Sequence, residues 1–251
     1  MTIAGVVVTH EPDPELGRCL SALAPQVDEL IVVANLPLEL DPPAGARVIE
    51  NERPLGFGAN VNRGVAETES DFVVIANPDT EPAPDAVAVL AKFVSGSARR
   101  GIAGPQLRYP DGRRQPSRRR FPTVAGTLVR RTPLRYAARP FERQRSHYLL
   151  DEHPAEPVQA DWMLGAFLLL RREMLEELGG FDEGFRLYGE DIEFCYRAAK
   201  AGWERWYVPA ASVTHRYAAE IDRRLFTRRT LWHWRGMARF VRKHPERLRA
   251  L

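Results

Sequence analysis

The adjacent carboxylates Glu190 and Asp191 are the residues of this chain with the clearest potential for chemistry. They stand between Leu187-Tyr188 and an apolar, aromatic run that starts at Ile192. Burying an ionised carboxyl without partners is costly, so a plain core segment suits the pair poorly. A helix that begins near Glu190 places both acids in its first turn, where the N-terminal partial charge favours them. The pattern predicts either an acidic helix start or, at the mouth of an apolar pocket, a general base.

The first hundred residues alternate between β-branched runs and helical patterns. Strand-like runs occupy residues 3–9, 29–34, 47–51, 72–76 and 102–104, and helical patterns occupy residues 16–23, 58–67 and 84–94. Apolar runs without polar alternation are typical of strands buried on both faces. Their alternation with helices predicts an α/β fold with a mostly parallel sheet that helices cover on both sides.

Three of these strands end in polar residues. Thr9-His10-Glu11 follows the first strand, Asn35 follows the second, and Asn77-Pro78-Asp79 follows the run at residues 72–76. Ligands of parallel sheets bind outside the carboxyl ends of the strands. The pattern therefore predicts a pocket at this edge, without indicating its ligand.

Charge is distributed unevenly along the 251 residues. The chain has a net charge of +3, but residues 1–100 carry 7 basic and 15 acidic side chains, and the remainder carries 29 and 18. A basic second half favours contact with an anionic partner such as phosphate, nucleic acid or a membrane surface. The segment 108–145 holds twelve of the arginines, and we interpret it either as a solvated loop or as a binding surface for such a partner.

The tail, residues 221–251, combines basic and aromatic residues at helical spacing. Phe226, Trp234, Met237 and Val241 fall on one side of a helix, with Phe240 beside them, and arginines fall on another. Such a helix is typical of an interfacial segment on an anionic membrane. A helix packed on this domain or on a second subunit is the alternative.

The two cysteines and the lengths of the apolar runs indicate the cellular compartment of the protein. Cys19 and Cys195 lack metal-ligand spacing and predict buried thiols in a reducing compartment. No apolar run reaches the roughly 18 residues of a membrane span, and the first residues lack the features of a secretory signal. We therefore expect a cytoplasmic protein.

Eight motifs in one order resemble family 2 of the inverting nucleotide-sugar glycosyltransferases, and most closely its bacterial rhamnosyltransferase-like members. They are VVVTHEP (6–12), VVAN (32–35), RPLGFGANVNRG (53–64), IANPDT (75–80), PDGRRQPSRRRFPT (110–123), DWMLGAFLLLRRE (161–173), GGFDEGFRLYGEDIEFCYR (179–197) and VPAASVTH (208–215). The resemblance implies the GT-A fold, a Rossmann-like sheet flanked by helices with a C-terminal helical extension. It divides the chain into a nucleotide-sugar-binding half (1–105), an acceptor-binding and catalytic half (106–217) and the basic extension (218–251).

The same resemblance implies roles for residues of the first half. The nucleotide-sugar would contact Thr9, Glu11, Asn35, Gly56, Phe57, Gly58, Asn62, Arg63, Asn77 and Asp79. Ala34 stands where the family usually has a base-contacting acid. Asp79 would hold Mg²⁺ or Mn²⁺ on the diphosphate, and His215 would complete the metal shell. Glycines at a helix start suit this role, because they allow close backbone approach and direct N–H groups toward phosphate.

On the acceptor side, the resemblance makes Asp191 the catalytic base. Glu190 would orient Asp191 or the acceptor, and Asp161, Trp162 and Gly165 would lie where the family binds sugar and acceptor. A carboxylate that removes the acceptor proton during a single displacement inverts the anomeric configuration. Trp162 as plain core and His215 as an ordinary core or surface histidine are the alternatives.

The implied function is sugar transfer in cell-wall or surface-polysaccharide synthesis. The donor would be dTDP-rhamnose, with a UDP-hexose or UDP-N-acetylhexosamine as the alternative, and the acceptor a glycan or a polyprenyl-diphosphate-linked sugar. The tail would bring the protein to the inner face of the plasma membrane or join two subunits. A non-catalytic nucleic-acid-binding protein is a remote alternative, because no recognition-helix, zinc-ligand or aromatic RNA-binding pattern accompanies the arginines.

Overall fold

The computed structural model describes residues 1–10, 13–37, 40–123, 147–216 and 228–248. Within these ranges a ten-stranded sheet forms the centre of the fold, and two further short strands, β8 and β10, pair separately. The strands are β1 (Ile3–Thr9), β2 (Glu29–Ala34), β3 (Arg47–Glu50), β4 (Phe72–Ala76), β5 (Thr80–Pro82), β6 (Arg100–Arg108), β7 (Arg114–Gln115), β8 (Arg118–Arg119), β9 (Val158–Gln159), β10 (Trp162–Met163), β11 (Phe167–Arg171) and β12 (Glu204–His215). The helices are α1 (Leu16–Leu23), α2 (Phe57–Val65), α3 (Ala86–Ser95), α4 (Arg172–Leu178), α5 (Glu190–Lys200) and α6 (Arg228–Lys243).

The strand order is β3-β2-β1-β4-β11-β6-β12-β5, with β7 paired to β6 and β9 to β12. The four strands from β3 to β4 are parallel, β11 runs antiparallel to both of its neighbours, and β6 and β12 are again parallel. The predicted α/β fold with a mostly parallel sheet is confirmed. Strand β6 continues the sheet across the predicted boundary at residue 105, and the assignment of separate roles to the two halves stays a prediction.

Alternate side chains of β1 enter two different cores. Val6 and Val8 pack in a cluster with Phe194 of α5, and Val7 packs in another with Leu90 of α3. All three valines are at most 1% exposed. A strand buried on both faces has no polar alternation, which is why the sequence reads as a continuous apolar run.

The sequence pattern predicts short strands over residues 102–104 and 205–208, and β6 and β12 extend beyond both of them. Pro105 and Pro209 interrupt the two apolar runs, and a proline in a strand usually signals its end because it donates no hydrogen bond. Here β6 lies between β11 and β12, and its pairing continues past Pro105. The register with β12 shifts between Val208 and Ser212, and this irregularity accommodates Pro209.

The C-terminal helix α6 packs on the domain. Met237 and Phe240 are 7% and 1% exposed and belong to the core cluster that also holds Phe194. Of the alternatives for the tail, packing on this domain is therefore the one observed for residues 228–248, and the apolar side that includes Met237 is not free to enter a membrane. Residues 217–227, with Phe226, lie outside the described residues.

None of the helices in the described ranges has both the length and the hydropathy of a membrane span. The two cysteines are buried free thiols, as the sequence predicts.

Candidate active site

The polar ends of β1 and β2 meet at one edge of the sheet, where Asn35 organises the neighbouring loop. Its Oδ1 accepts hydrogen bonds from the Leu55 backbone N (2.7 Å), Asn60 Nδ2 (2.9 Å) and Asn51 Nδ2 (3.0 Å), and its Nδ2 lies 2.7 Å from Nδ1 of His10. The side chain is 6% exposed. These hydrogen bonds make Asn35 a support of the loop at residues 51–56. Its predicted contact with the nucleotide-sugar stays a prediction.

Thr9 ends β1 and is completely buried, whereas Glu11 lies outside the described residues. The nucleoside contacts expected of both stay predictions. The sequence analysis did not predict Asn51 and Asn60 as site residues. The one pattern that could have indicated them is the recurrence of asparagine after three strands and near the start of a helix.

The glycines at the start of α2 are explained by protein contacts. A Cβ on Gly56 would stand 2.2 Å from the carbonyl oxygen of Phe185, and one on Gly58 would stand 2.9 Å from Cβ of Phe181. The loop at residues 180–189 therefore packs closely against both glycines. Their predicted contact with the nucleotide-sugar stays a prediction. Close packing between two segments of the chain requires glycine here.

Three further residues of α2 have distinct environments. Asn62 donates from Nδ2 to the Phe181 carbonyl (2.9 Å) and accepts at Oδ1 from the Phe181 backbone N (2.8 Å), so it fastens α2 to the 180–189 loop. Arg63 is exposed, and its Nη1 lies 2.5 Å from Oδ1 of Asn51. Phe57 is 7% exposed and belongs to the core. Of the three, Arg63 alone presents a charge at the surface.

Asp79 and His215 meet at the other side of this edge. Oδ1 of Asp79 lies 3.4 Å from Nε2 of His215, and Oε1 of Gln115 lies 3.0 Å from Nδ1 of the same ring. All three residues are 7–8% exposed. The pairing of β5 with β12, in which Thr80 faces His215, brings together residues that are far apart in the sequence. Gln115 was missed as a site residue, because a lone glutamine among arginines carries no recognisable pattern.

The backbone of Asn77 holds the Asp79 loop in place. Its carbonyl accepts hydrogen bonds from the Thr80 hydroxyl (2.7 Å) and from the Cys19 thiol (3.4 Å), and its N–H donates to the Ala166 carbonyl (2.8 Å). Each bond is made by the backbone. The predicted ligand contact of the Asn77 side chain stays a prediction.

Gly165, beside Ala166, links this loop to the acidic pair. The Gly165 backbone N donates to Oδ2 of Asp191 at 3.2 Å, and a Cβ on Gly165 would lie 3.4 Å from Cβ of Asp191. Two successive residues thus contact the Asp79 loop on one side and the Asp191 carboxylate on the other. The structure brings Asn77, Gly165 and Asp191 together, three residues that the sequence analysis had placed in one site.

Glu190 and Asp191 begin α5, as predicted, after Tyr188 and Gly189 with φ of +72° and +101°. Asp191 is partly exposed, and its Oδ1 accepts the Ile192 N–H at 2.9 Å. Glu190 is 6% exposed, and its Oε2 has no hydrogen-bond partner within the described part of the chain. The more accessible carboxylate is therefore the one that can meet an acceptor.

The two carboxyls differ in their tendency to ionise. Burial raises the pKa of Asp191 to about 6, and hydrogen bonds from the Gly165 and Ile192 backbone limit the rise. Burial and then the charge of Asp191 raise the pKa of Glu190 to about 8. The two carboxyls therefore ionise in two steps, and the first ionisation is favoured at Asp191, because its carboxylate accepts two backbone N–H groups and Glu190 is the more deeply buried of the two.

Residues 118–121 of the arginine-rich segment lie beside Asp191. Arg119, 7% exposed, pairs with Trp162 in the β8–β10 ladder, and its charge lowers the pKa of Asp191. Asp161 accepts the Phe121 N–H at 2.8 Å, and the Trp162 indole N–H donates to the Arg120 carbonyl at 2.8 Å.

Two of the predicted sugar contacts therefore act within the protein. Trp162 is 7% exposed and belongs to the core cluster, so it offers no free face to a pyranose ring. Asp161 and Trp162 are explained as the residues that fasten residues 118–121 to the domain.

Lys243 of α6 joins the segments on either side of the acidic pair. Its Nζ lies 2.6 Å from Oδ2 of Asp182 in the 180–189 loop and 2.6 Å from Oε1 of Glu193, a completely buried residue one turn after Glu190. Arg239 adds a hydrogen bond of 2.7 Å to Asp182. Basic residues of the tail thus bind acids of this domain, which the sequence pattern alone did not reveal.

The residues present at the Asp79 corner fit a divalent cation bound together with a diphosphate. Proteins commonly hold Mg²⁺ through one or two side chains plus substrate phosphates instead of a complete protein cage. Asp79 and His215 supply an oxygen and a nitrogen in mutual reach. The described residues contain no group of three or more His, Cys, Asp or Glu that could hold a metal ion.

The sequence model described as glycosyltransferase like family 2 matches residues 3–234. The chain is 32% identical over 246 residues to the N-acetylglucosaminyl-diphospho-decaprenol L-rhamnosyltransferase of Mycobacterium tuberculosis, covering 87% of this chain and 77% of that protein. It is 28% identical over 203 residues to the rhamnosyltransferase WbbL of Escherichia coli, covering 74% and 70%.

Two solved structures share the fold. One is GalNAc-T7 with UDP, GalNAc and Mn²⁺, with a TM-score of 0.66 at 19% identity, covering the whole of this chain and 51% of that one. The other is the mannosyltransferase PcManGT of Pyrobaculum calidifontis with GDP-Man and Mn²⁺, with a TM-score of 0.57 at 16% identity, covering 98% and 64%. Both support the predicted GT-A fold.

Proposed function

Because the chain belongs to glycosyltransferase family 2, we propose that it is an inverting, metal-dependent enzyme that uses Asp191 as its catalytic base. The observation that carries this proposal is the link made by Gly165 and Ala166. One of these residues binds the Asp191 carboxylate and the next binds the backbone of the Asp79 loop. A base and a candidate metal-diphosphate corner that are joined through two adjacent residues suit a donor and an acceptor that react between them.

Asp191 would remove the proton of the acceptor hydroxyl while that oxygen attacks the anomeric carbon of the donor sugar. The bond from this carbon to the diphosphate oxygen breaks on the opposite face, so the configuration inverts. Asp79 and His215 would hold Mg²⁺ or Mn²⁺, whose charge offsets the charge developing on the departing nucleoside diphosphate. Glu190, neutral near pH 7, would donate a hydrogen bond that orients Asp191 or the acceptor.

Two of the named relatives support a choice of substrates. They are a rhamnosyltransferase with a lipid-diphosphate-linked N-acetylglucosaminyl acceptor and a second rhamnosyltransferase. We therefore place L-rhamnose from dTDP-rhamnose first as the donor and a polyprenyl-diphosphate-linked sugar first as the acceptor, in cell-wall or surface-polysaccharide synthesis. A UDP-hexose or UDP-N-acetylhexosamine donor is the alternative.

The direct test is a transfer assay with the purified protein and Mn²⁺. dTDP-rhamnose, UDP-glucose, UDP-N-acetylglucosamine and GDP-mannose are each offered with a polyprenyl-diphosphate N-acetylglucosamine acceptor. We expect transfer from dTDP-rhamnose, with NMR of the product showing inversion at the anomeric carbon. The Asp191→Asn protein is the matched control for background hydrolysis.

Other outcomes would correct the proposal in defined ways. Transfer from a UDP-sugar alone would keep the enzyme class and replace the donor. Retention of configuration would remove Asp191 as the base of a single displacement. Full transfer in the presence of a strong chelator would contradict the proposed metal dependence.

A lipid-linked acceptor requires the enzyme to reach a membrane surface, and α6 offers a face for this. Leu231 is 49% exposed, and Arg235 and Arg242 are also exposed, on the side opposite the buried Met237 and Phe240. Basic side chains near an anionic leaflet contribute about 1 kcal/mol each. We place the protein in the cytoplasm, at the inner face of the plasma membrane, with this face toward the lipid.

Reversing two of these charges should weaken binding to anionic vesicles. For the Arg235→Glu/Arg242→Glu protein we expect affinity at least about tenfold lower in a flotation assay, because attraction becomes repulsion. The matched control is Arg18→Glu/Lys92→Glu, which reverses two exposed charges on α1 and α3. These helices pack in the core on the other face of the sheet. Equal flotation of both double variants would remove α6 as the membrane contact.

A further inference from the structure

We propose that Gln115 is a positioning residue for the metal corner, because it holds the His215 ring with Nε2 directed toward Asp79. This inference deepens the proposed function and rests on it where metal binding is concerned. Its geometric basis is a buried relay: Gln115 Oε1 lies 3.0 Å from His215 Nδ1, and His215 Nε2 lies 3.4 Å from Asp79 Oδ1. None of the three residues is more than 8% exposed.

The chemistry of the ring explains why this contact matters. A neutral imidazole carries one N–H, so the nitrogen that meets an acceptor keeps the proton and the other nitrogen presents a lone pair. The amide oxygen of Gln115 is an acceptor that favours a proton on Nδ1 and so leaves the Nε2 lone pair for a cation, whereas the Asp79 carboxylate, 3.4 Å from Nε2, competes for the proton when no cation is present. Histidines that bind metals usually donate their second ring nitrogen in this way. The opposite tautomer would direct an N–H at the cation.

The fold holds Gln115 firmly enough for this role. Residues 109–113 form a hairpin turn in which Tyr109 N donates to the Arg113 carbonyl at 2.8 Å, and Gly112 has a φ of +81° that suits glycine. The turn sets β7 against β6, with Gln115 opposite Leu107. Leu107 in turn pairs with Val213 on β12, two residues before His215. Two adjacent ladders therefore set the distance between the amide and the ring.

The chain that follows Gln115 leads to the acceptor side of the site. Two residues later, the Ser117 carbonyl accepts the Leu164 N–H at 3.1 Å, immediately before the Gly165 that binds Asp191. The start of the arginine-rich segment thus contacts both the candidate metal corner and the support of the base. This placement gives the segment a role in the site besides that of an exposed basic loop.

The first test determines whether Nδ1 of the His215 ring carries a proton, and it needs no metal. In ¹⁵N-labelled protein, recorded in mildly alkaline solution, the His215 signals are assigned by their loss in His215→Ala. We expect Nδ1 to carry a proton, because it faces the Gln115 oxygen. Gln115→Leu, of similar size but without an acceptor, should give a mixture of tautomers, and Gln115→Glu should restore the original pattern. A bare Nδ1 in the unaltered protein, or an unchanged pattern in Gln115→Leu, would overturn the proposal.

The second test measures affinity for Mn²⁺ by electron paramagnetic resonance with dTDP or UDP present. Loss of a residue that orients a metal ligand typically costs about 10- to 100-fold in metal affinity, and we expect a loss in this range for Gln115→Leu and little loss for Gln115→Glu. The Gln115→Leu/His215→Ala protein should be no weaker than His215→Ala, because Gln115 acts through His215. Additive losses would contradict that route. Absence of Mn²⁺ binding in the unaltered protein would contradict the proposed metal dependence, whereas the tautomer measurement would still decide the role of Gln115.

Discussion

The Asp191→Asn protein should bind its nucleotide donor and Mn²⁺ with near-normal affinity and yet transfer sugar very slowly. Asparagine keeps the shape of the side chain and can still accept the Gly165 N–H, but it cannot take a proton. We expect turnover to fall by roughly two to four orders of magnitude, the usual span for loss of a general base. Single-turnover kinetics with saturating donor measure the chemical step, and calorimetry with the nucleoside diphosphate measures binding separately.

Glu190→Gln is the matched control for this change. Glutamine keeps a neutral, hydrogen-bonding side chain in a site where Glu190 is 6% exposed and protonated near neutral pH. Its loss of turnover should therefore be much smaller than that of Asp191→Asn. A dead Glu190→Gln protein beside an active Asp191→Asn protein would exchange the two roles, and activity in both would place the base elsewhere.

The dependence of kcat/KM on pH should reflect the ionisation of Asp191 and Glu190. The base acts in its ionised form, and burial raises the pKa of Asp191 to about 6, so kcat/KM should decrease about tenfold for each pH unit below that value. Loss of the Glu190 proton, whose pKa is raised to about 8, should lower activity again in alkaline solution if its hydrogen bond is needed. Glu190→Gln should abolish only this alkaline decrease. A profile without an acidic limb would argue against Asp191.

Asp79→Ala should abolish metal-dependent binding of the nucleoside diphosphate. Asp79 is the one acid of the loop after β4 and the partner of His215 at 3.4 Å, so its removal takes away the charged ligand of the proposed cation. Calorimetric titration of dTDP or UDP with and without Mn²⁺ should show a large metal-dependent gain in affinity for the unaltered protein and none for the variant. Unchanged Mn²⁺-dependent affinity would remove Asp79 from the site.

Asp71→Ala provides a control for the effect of removing an acid near β4. Asp71 precedes the same strand at its opposite end, where its carboxylate accepts a hydrogen bond from the Thr2 backbone at 2.7 Å. Its loss should leave the response to Mn²⁺ intact. A similar loss of metal response in both variants would indicate a general effect on the sheet.

Local sequence patterns were enough to predict strands β1 to β4, helices α1 to α3 and the start of α5. Uninterrupted apolar runs such as FVVIA report a strand covered on both faces, and these signals are local, so they can be recognised without knowing the neighbours. Likewise, two acids after Gly189 report a helix start because helix ends have their own local chemistry. The order of the motifs was enough to identify the family.

The protein neighbours of the polar and glycine residues, in contrast, became known only from the tertiary structure. Asn35 has the same donors and acceptors in either role, and its neighbours Asn51 and Asn60 come from other loops. Gly56 fits a phosphate or a protein backbone equally well, and the structure places the Phe185 carbonyl there. The type of a residue determines which groups its side chain can bind. The order of the strands determines which of those groups lie close enough to be bound.

The same reason accounts for the two largest differences between pattern and structure. Gln115 and His215 are 100 residues apart and meet because β7, β6 and β12 are neighbours in the sheet. The amphipathic pattern of α6 predicts an apolar face and a basic face, but not the surface that each will cover. Helix periodicity is fixed by the chain within a few residues, and the partner of each face is fixed by packing between distant segments, here Asp182 and Glu193 with Lys243.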